Sequence, residues 1–148
     1  MTAGVFPPEI IAAAQASQKR WNIPASVSLA QWALESAWGR SMPSQSNNPF
    51  GIKARLGQPA VTAETCEVVS GRTLRLPQRF RQFPDLSSAF DEHGRLLATA
   101  RVYGPARAVR HDGRAFARAL QGRYATDPGY AVHLIALIDA HDLTRFDG

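Results

Sequence analysis

The sequence holds a single cysteine, Cys66, so no intramolecular disulfide can form and the fold must stand on packing. It lacks a run of about 18 apolar residues, which excludes a membrane-spanning helix read from hydropathy. Its opening stretch, Met1 to Ile10, carries two prolines and a glutamate and no cationic lead, so no secretory signal is expected there. The histidines His93, His111, His133 and His141 show neither HExxH nor Cys/His ligand spacing, and no metal site is expected. A phosphate loop, a dinucleotide fingerprint and a Gly-x-Ser-x-Gly elbow are also missing. Lysine is nearly absent: Lys19 and Lys53 are the only two among 17 basic residues, and the rest are arginines.

What is present suits one domain over residues 1–148. With 45% hydrophobic and 20% charged residues, the chain can bury a core. The net charge of +5 is unevenly spread. Between Arg72 and Arg123 the arginines are opposed only by Asp85, Asp91, Glu92 and Asp112. Such a basic half points to an anionic partner: nucleic acid, anionic lipid or an acidic wall polymer. It lacks any recognisable nucleic-acid reading motif, and no nucleic acid is expected.

Spacing predicts a first helix over 8–20 and a second over 25–38, stopped by Gly39. Residues 41–59 read as a loop that carries Phe50 and Ile52. Ala60 to Val69 and Thr73 to Phe83 are β-prone around a Ser70-Gly71 turn, a hairpin whose second run is demoted to an edge by Pro77. Helical periodicity returns after Pro84. Asp112 is suited to cap one later helix, and Asp127-Pro128 to start the last. The order is a mainly helical α+β domain with one small hairpin lobe.

Glu35 stands out for chemistry. On the 25–38 helix, Val27, Ala30, Ala33, Leu34 and Ala37 fill one arc, while Ser28, Gln31, Trp32, Glu35 and Trp38 fall opposite. A single carboxylate among indoles, an amide and a hydroxyl reads as a saccharide cleft, and apolar surroundings favour the protonated acid. Glycosidic cleavage generally uses a second carboxyl group. Glu64 and Glu67 on the hairpin have opposite parity, so only one can face a cleft.

Three blocks carry a family resemblance. Ser28-Leu29-Ala30-Gln31-Trp32-Ala33-Leu34-Glu35-Ser36-Ala37-Trp38-Gly39 resembles the glutamate-bearing helix of bacterial glucosaminidase domains, glycoside hydrolase family 73. Asn47-Asn48-Pro49-Phe50-Gly51-Ile52-Lys53-Ala54 is similar to the Asn-Leu-Phe-Gly-Ile-Lys block that follows it, with Pro49 in place of leucine. Tyr124-Ala125-Thr126-Asp127-Pro128-Gly129-Tyr130-Ala131 resembles the family's Tyr-Ala-Thr-Asp-Pro-x-Tyr-Ala signature.

The resemblance implies a lysozyme-like fold, peptidoglycan as partner, and cleavage of the β-1,4 bond after N-acetylglucosamine. It implies Glu35 as general acid. The second carboxylate falls on Glu67, in Thr65-Cys66-Glu67-Val68-Val69-Ser70-Gly71, with Glu64 as the neighbour that contests it. The assisting cleft tyrosine falls on Tyr124, with Tyr130 second. Gln31, Trp38, Asn48, Phe50, Gly51 and Tyr130 are expected to bind substrate. No cofactor and no metal is implied, and a monomer is expected. The site of action would be the cell wall or periplasm, reached through lysis, a secretion system or a phage. The rivals are a muramidase cutting the other glycosidic bond and a wall-binding module that does not cut.

Overall fold

The computed structural model describes residues 6–148, so Met1 to Val5 and the reading of them lie outside it. The chain runs α1 (Pro8–Trp21), α2 (Ala25–Glu35), β1 (Ala60–Val69), β2 (Arg72–Arg81), α3 (Leu86–Thr99), a 3-10 turn at Arg101–Tyr103, α4 (Gly104–Arg107), α5 (Gly113–Leu120), α6 (Tyr130–Ala140) and a 3-10 turn at Leu143–Phe146. This is the α+β order that the sequence predicts. No helix among the described residues is long and apolar enough to cross a membrane.

Helix α2 is the centre of the fold. Every residue from Ala25 to Ala33 is buried, with α1, α5, α6 and the closing turn packed around it. Over that stretch the helix is covered on all sides and has no wet face; only its last turn, Leu34 and Glu35, reaches the surface. This corrects the two-faced reading of 25–38: Ser28 and Gln31 are fully buried and Trp32 is 3% exposed.

The helix also ends at Glu35, earlier than Trp38. The Ser36 hydroxyl turns back to the Trp32 carbonyl and accepts from the Gly39 N–H at 2.9 Å. Ala37 and Trp38 take left-handed backbone, φ 49° and 61°. The Trp38 N–H then reaches the Ala33 carbonyl at 3.0 Å, closing the helix C-terminus. Gly39, at φ 83°, lies over Trp32, where an added Cβ would come within 3.1 Å of the indole.

Helix α3 begins where Asp85 accepts from the Ser88 N–H at 2.7 Å. Asp112 caps α5 as expected, accepting from Arg114 and Ala115 N–H at 3.1 Å each. The last helix starts later than Asp127-Pro128 suggested. Asp127 instead organises a turn, its carboxylate accepting from the Gly129 N–H and its carbonyl from the Tyr130 N–H. The 3-10 turn and α4 were not legible, because a segment this short leaves no period to read.

The strands pair from Ala60↔Arg81 to Val69↔Arg72, and Ser70 and Gly71 both have positive φ (51° and 76°), the geometry of a type I′ turn. Ala63, Thr65 and Glu67 share a half-buried face, while Glu64, Cys66 and Val68 are exposed on the other. The hairpin is tied at its base: Arg81 N–H to the Ile52 carbonyl, Ala54 N–H to the Arg79 carbonyl and Phe83 N–H to the Ser46 carbonyl. Much of the basic half is spent internally. Arg107 donates to the Leu97 and Ala100 carbonyls, Arg95 and Arg81 pair with Glu92, and Arg114 pairs with Asp139.

Candidate active site

Glu35 sits at the C-terminal end of the central helix, half-buried, where α2 gives way to the loop leading to the hairpin. Two cavities meet at it. One, of about 540 Å³, lies toward Tyr103 and Tyr124 and reaches Arg81 and Glu92. The other, of about 390 Å³, lies toward Pro49, Ala63, Thr65 and Phe80. Both are lined by Glu35 and Gly51, so one groove passes over the carboxyl, between the helical body and the hairpin.

Burial raises the pKa of Glu35, and the hydrogen bond from Tyr130 opposes that rise without cancelling it. The Tyr130 hydroxyl donates to Glu35 Oε2 at 2.6 Å and accepts from Gln31 Nε2 at 2.7 Å. Tyr124 stacks on Tyr130, with ring centroids 5.8 Å apart and planes within 9°. Burial, and next the Glu35 charge, hold the Tyr124 phenol well above its ordinary pKa, so it remains a neutral donor in the groove wall.

Asn48 is fully engaged beneath the groove. Its Oδ1 accepts from Phe50 and Ile52 N–H, and its Nδ2 donates to the Ile52 and Arg81 carbonyls at 2.8 and 3.0 Å. It therefore shapes the 47–52 loop and ties it to β2. Phe50 lies flat on His93, with centroids 4.1 Å apart, and Gly51, at φ 66°, passes beside Glu35.

The groove thus gathers Glu35, Tyr124, Asn48, Phe50 and Gly51, with Tyr130 and Gln31 behind the acid. It does not gather Trp38. With the helix ending early, that indole turns away to pack against Phe6, Trp32 and His141, and it lines an apolar recess with Leu34 and His133. Gln31 is buried under Tyr130 and has no path to a sugar. Glu67 lines neither cavity. It lies on the inner hairpin face, beyond Thr65, whose hydroxyl donates to it at 2.9 Å. Glu64 borders the second cavity but is exposed and paired with Arg75 at 3.1 Å.

Sequence reasoning missed His93 as a neighbour of the site. The signal was there: His93 falls on the apolar side of α3 with Ala89, Phe90 and Leu97, where a polar imidazole has no packing reason to be. No group of three or more His, Cys, Asp or Glu side chains among the described residues could hold a metal ion.

A carboxylic acid at the end of a buried helix, over a groove closed by a two-stranded lobe, is the arrangement of lysozyme-like glycosidase domains. Residues 11–143 match the glucosaminidase family model, described as mannosyl-glycoprotein endo-beta-N-acetylglucosaminidase, and the chain belongs to that family. It is similar to the exo-glucosaminidase LytG of Bacillus subtilis, with 30% identity over 97% of this chain and 53% of that protein. An autolysin of Enterococcus faecalis is 34% identical over 96% of this chain and 20% of its own length. The chain therefore spans about half or less of these relatives. Among solved structures, the catalytic domain of the autolysin Auto from Listeria monocytogenes superposes with a TM-score of 0.84 at 28% identity, covering 97% of this chain and 90% of that one. The glycoside hydrolase domain of FlgJ from Salmonella typhimurium, in a C-terminally truncated form, gives 0.73 at 28% identity over 90% and 93%.

Proposed function

We propose that the chain hydrolyses peptidoglycan, cutting the β-1,4 bond after N-acetylglucosamine with Glu35 as general acid. The observation that carries this reading is the carboxyl itself. It lies in the groove, its pKa is raised by burial, and one oxygen is held by Tyr130, so it is protonated where an ordinary carboxylate would be ionised. Glu35 delivers its proton to the glycosidic oxygen as the bond opens through an oxocarbenium-like state. Phe50, Gly51 and Tyr124 form the wall that positions the sugar ring.

The opposite face needs either a base for water or the substrate's own acetamido group. Glu67 fits the base role by strand parity, arriving as the hairpin closes on bound glycan, with Glu64 as the alternative. The exposed arginines Arg72, Arg79, Arg110 and Arg118 suit an anionic wall polymer.

A second reading has its own support. A probable N-acetylmuramidase of Lactococcus lactis subsp. cremoris is 35% identical over 97% of this chain, which favours the other glycosidic bond. Digestion of purified walls, borohydride reduction and mass spectrometry of the new ends separates the two. Reduced N-acetylglucosamine, lost in Glu35→Gln, is the expected result. Reduced muramic acid would keep the acid and change the bond. Binding without cleavage by folded protein would refute the enzyme reading.

A further inference from the structure

Behind Glu35 lie three buried polar side chains that form a line. His93 Nε2 is 2.7 Å from Gln31 Oε1, Gln31 Nε2 is 2.7 Å from the Tyr130 hydroxyl, and that hydroxyl is 2.6 Å from Glu35 Oε2. Gln31 is fully buried and His93 is 1% exposed, so neither meets solvent or a sugar. Leucine or phenylalanine would fill the same space without the cost of burying polar atoms.

The sense of each hydrogen bond follows from the orientation of the Gln31 amide. An amide oxygen only accepts, so His93 carries its hydrogen on Nε2. An amide nitrogen only donates, so Tyr130 must accept from Gln31 and turn its own hydrogen onto Glu35 Oε2. The reverse sense would move the imidazole hydrogen to Nδ1, which has no partner, and a buried orphan N–H is rarer than an unfilled lone pair. Phe50, stacked at 4.1 Å, and Tyr124, edge-on at 6.1 Å, hold the imidazole plane. Burial pushes the His93 pKa down to about 3, so the ring is uncharged across the working range.

We propose that His93 and Gln31 are positioning residues for the general acid: they make Tyr130 a one-way donor to Glu35 Oε2 and so confine the acidic proton to Oε1. Among the described residues Oε1 has no hydrogen-bond partner, which leaves its proton to the groove. If the line ran the other way, Tyr130 would donate to Gln31. Protonated Glu35 would then be drawn to donate back through Oε2, away from the glycan. The inference rests on Glu35 being the acid.

The test compares wild type, His93→Phe, His93→Gln and Glu35→Gln on soluble wall fragments across pH. His93→Phe keeps the stack on Phe50 but frees the Gln31 amide to turn. We expect kcat to fall about tenfold, the equivalent of one buried hydrogen bond, with KM unchanged. The alkaline limb should move to higher pH, because the Tyr130 hydrogen bond lowers the acid's pKa and its loss raises it. His93→Gln, whose amide N–H can replace Nε2–H, should restore both. The other titratable groups facing Glu35 are Tyr124, Tyr103, Arg81, Glu92, Lys53 and Arg55 in the groove and Glu64 on the hairpin, none of which these variants replace. An unshifted limb and full kcat in folded His93→Phe would overturn the proposal, as would equal damage from His93→Gln. Nitrogen NMR of wild-type His93 gives a reading that needs no variant, and an Nδ1–H tautomer would also overturn it. Activity retained by Glu35→Gln is a separate failure, that of the acid assignment.

Discussion

Replacing Gly94 by alanine sets two familiar effects against each other. Glycine inside a helix costs roughly 1 kcal/mol relative to alanine, so helix propensity alone says that Gly94→Ala stabilises α3. The packing says the opposite. A Cβ at this position would lie 2.9 Å from Cδ1 and 3.3 Å from Cγ of Trp21, and would also overlap the buried Ser17 hydroxyl on α1. The Trp21 indole cannot swing clear, because its Nε1 donates to Asp91 at 2.9 Å and the Arg20 guanidinium lies over its ring. Overpacking of this kind costs about 1–3 kcal/mol, so the net effect after the propensity gain is a loss of up to about 2 kcal/mol. For a chain of this size that lowers the melting temperature by up to about 8 °C. Thermal unfolding followed by far-ultraviolet circular dichroism measures it. Gly104→Ala serves as the control: its backbone is helical, and the added carbon would meet only Arg107 Nη2 at 3.8 Å. A Gly94→Ala protein that melts above wild type would refute the claim that α1 and α3 touch through this residue. Gly94 also follows His93, so the displaced helix should lower wall hydrolysis in the folded variant.

Two further predictions concern charge and protons. Tyr130→Phe removes the donor to Glu35 and strands Gln31 Nε2, so the alkaline limb of activity should rise in pH and stability should fall by about 1–3 kcal/mol; an unmoved limb on soluble fragments would argue against Tyr130 as the group that holds the acid. Glu92 is held below its ordinary pKa of 4.5, first by its hydrogen bond from Arg95 and further by the charges of Arg95, Arg81 and Arg55. A depressed carboxyl stabilises above the unfolded pKa and loses that contribution as pH falls through the folded one. Glu92→Gln should therefore cost about 1 kcal/mol at neutral pH in guanidinium titrations, and the gap to wild type should close as the pH falls below the ordinary carboxylate range.

The position of Glu35 beside the Phe50 and Tyr130 blocks was readable because each block keeps a local pattern that survives packing. Trp38 was misread for a physical reason: a helical wheel assumes that the helix continues, and Ser36 and the left-handed pair Ala37-Trp38 end it just before the indole. Gln31 was placed on the correct side of α2 but at the wrong depth, because amphipathic spacing cannot reveal that a helix is covered all round. Tyr130 could not be told from Tyr124 in one dimension; the turn built on Asp127 sends one behind the acid and leaves the other in the wall. Glu67 and Glu64 were separable by parity, which a two-stranded register preserves, but their reach toward Glu35 depends on how the lobe leans.

The hairpin is joined to the body near its base, through the backbone bonds there, the Asn48 amide on the Arg81 carbonyl and the Arg81–Glu92 ion pair, and no helix packs broadly against either strand. Its outer half is therefore answerable to almost nothing in the core. The tip from Val68 to Thr73 lines neither cavity at Glu35, so its residues can change without reshaping them. A protein assembled this way keeps Glu35 under strict packing control while leaving the far end of the lobe open to drift, so on the proposed function adaptation to walls of different chemistry should be written there and not in the helices.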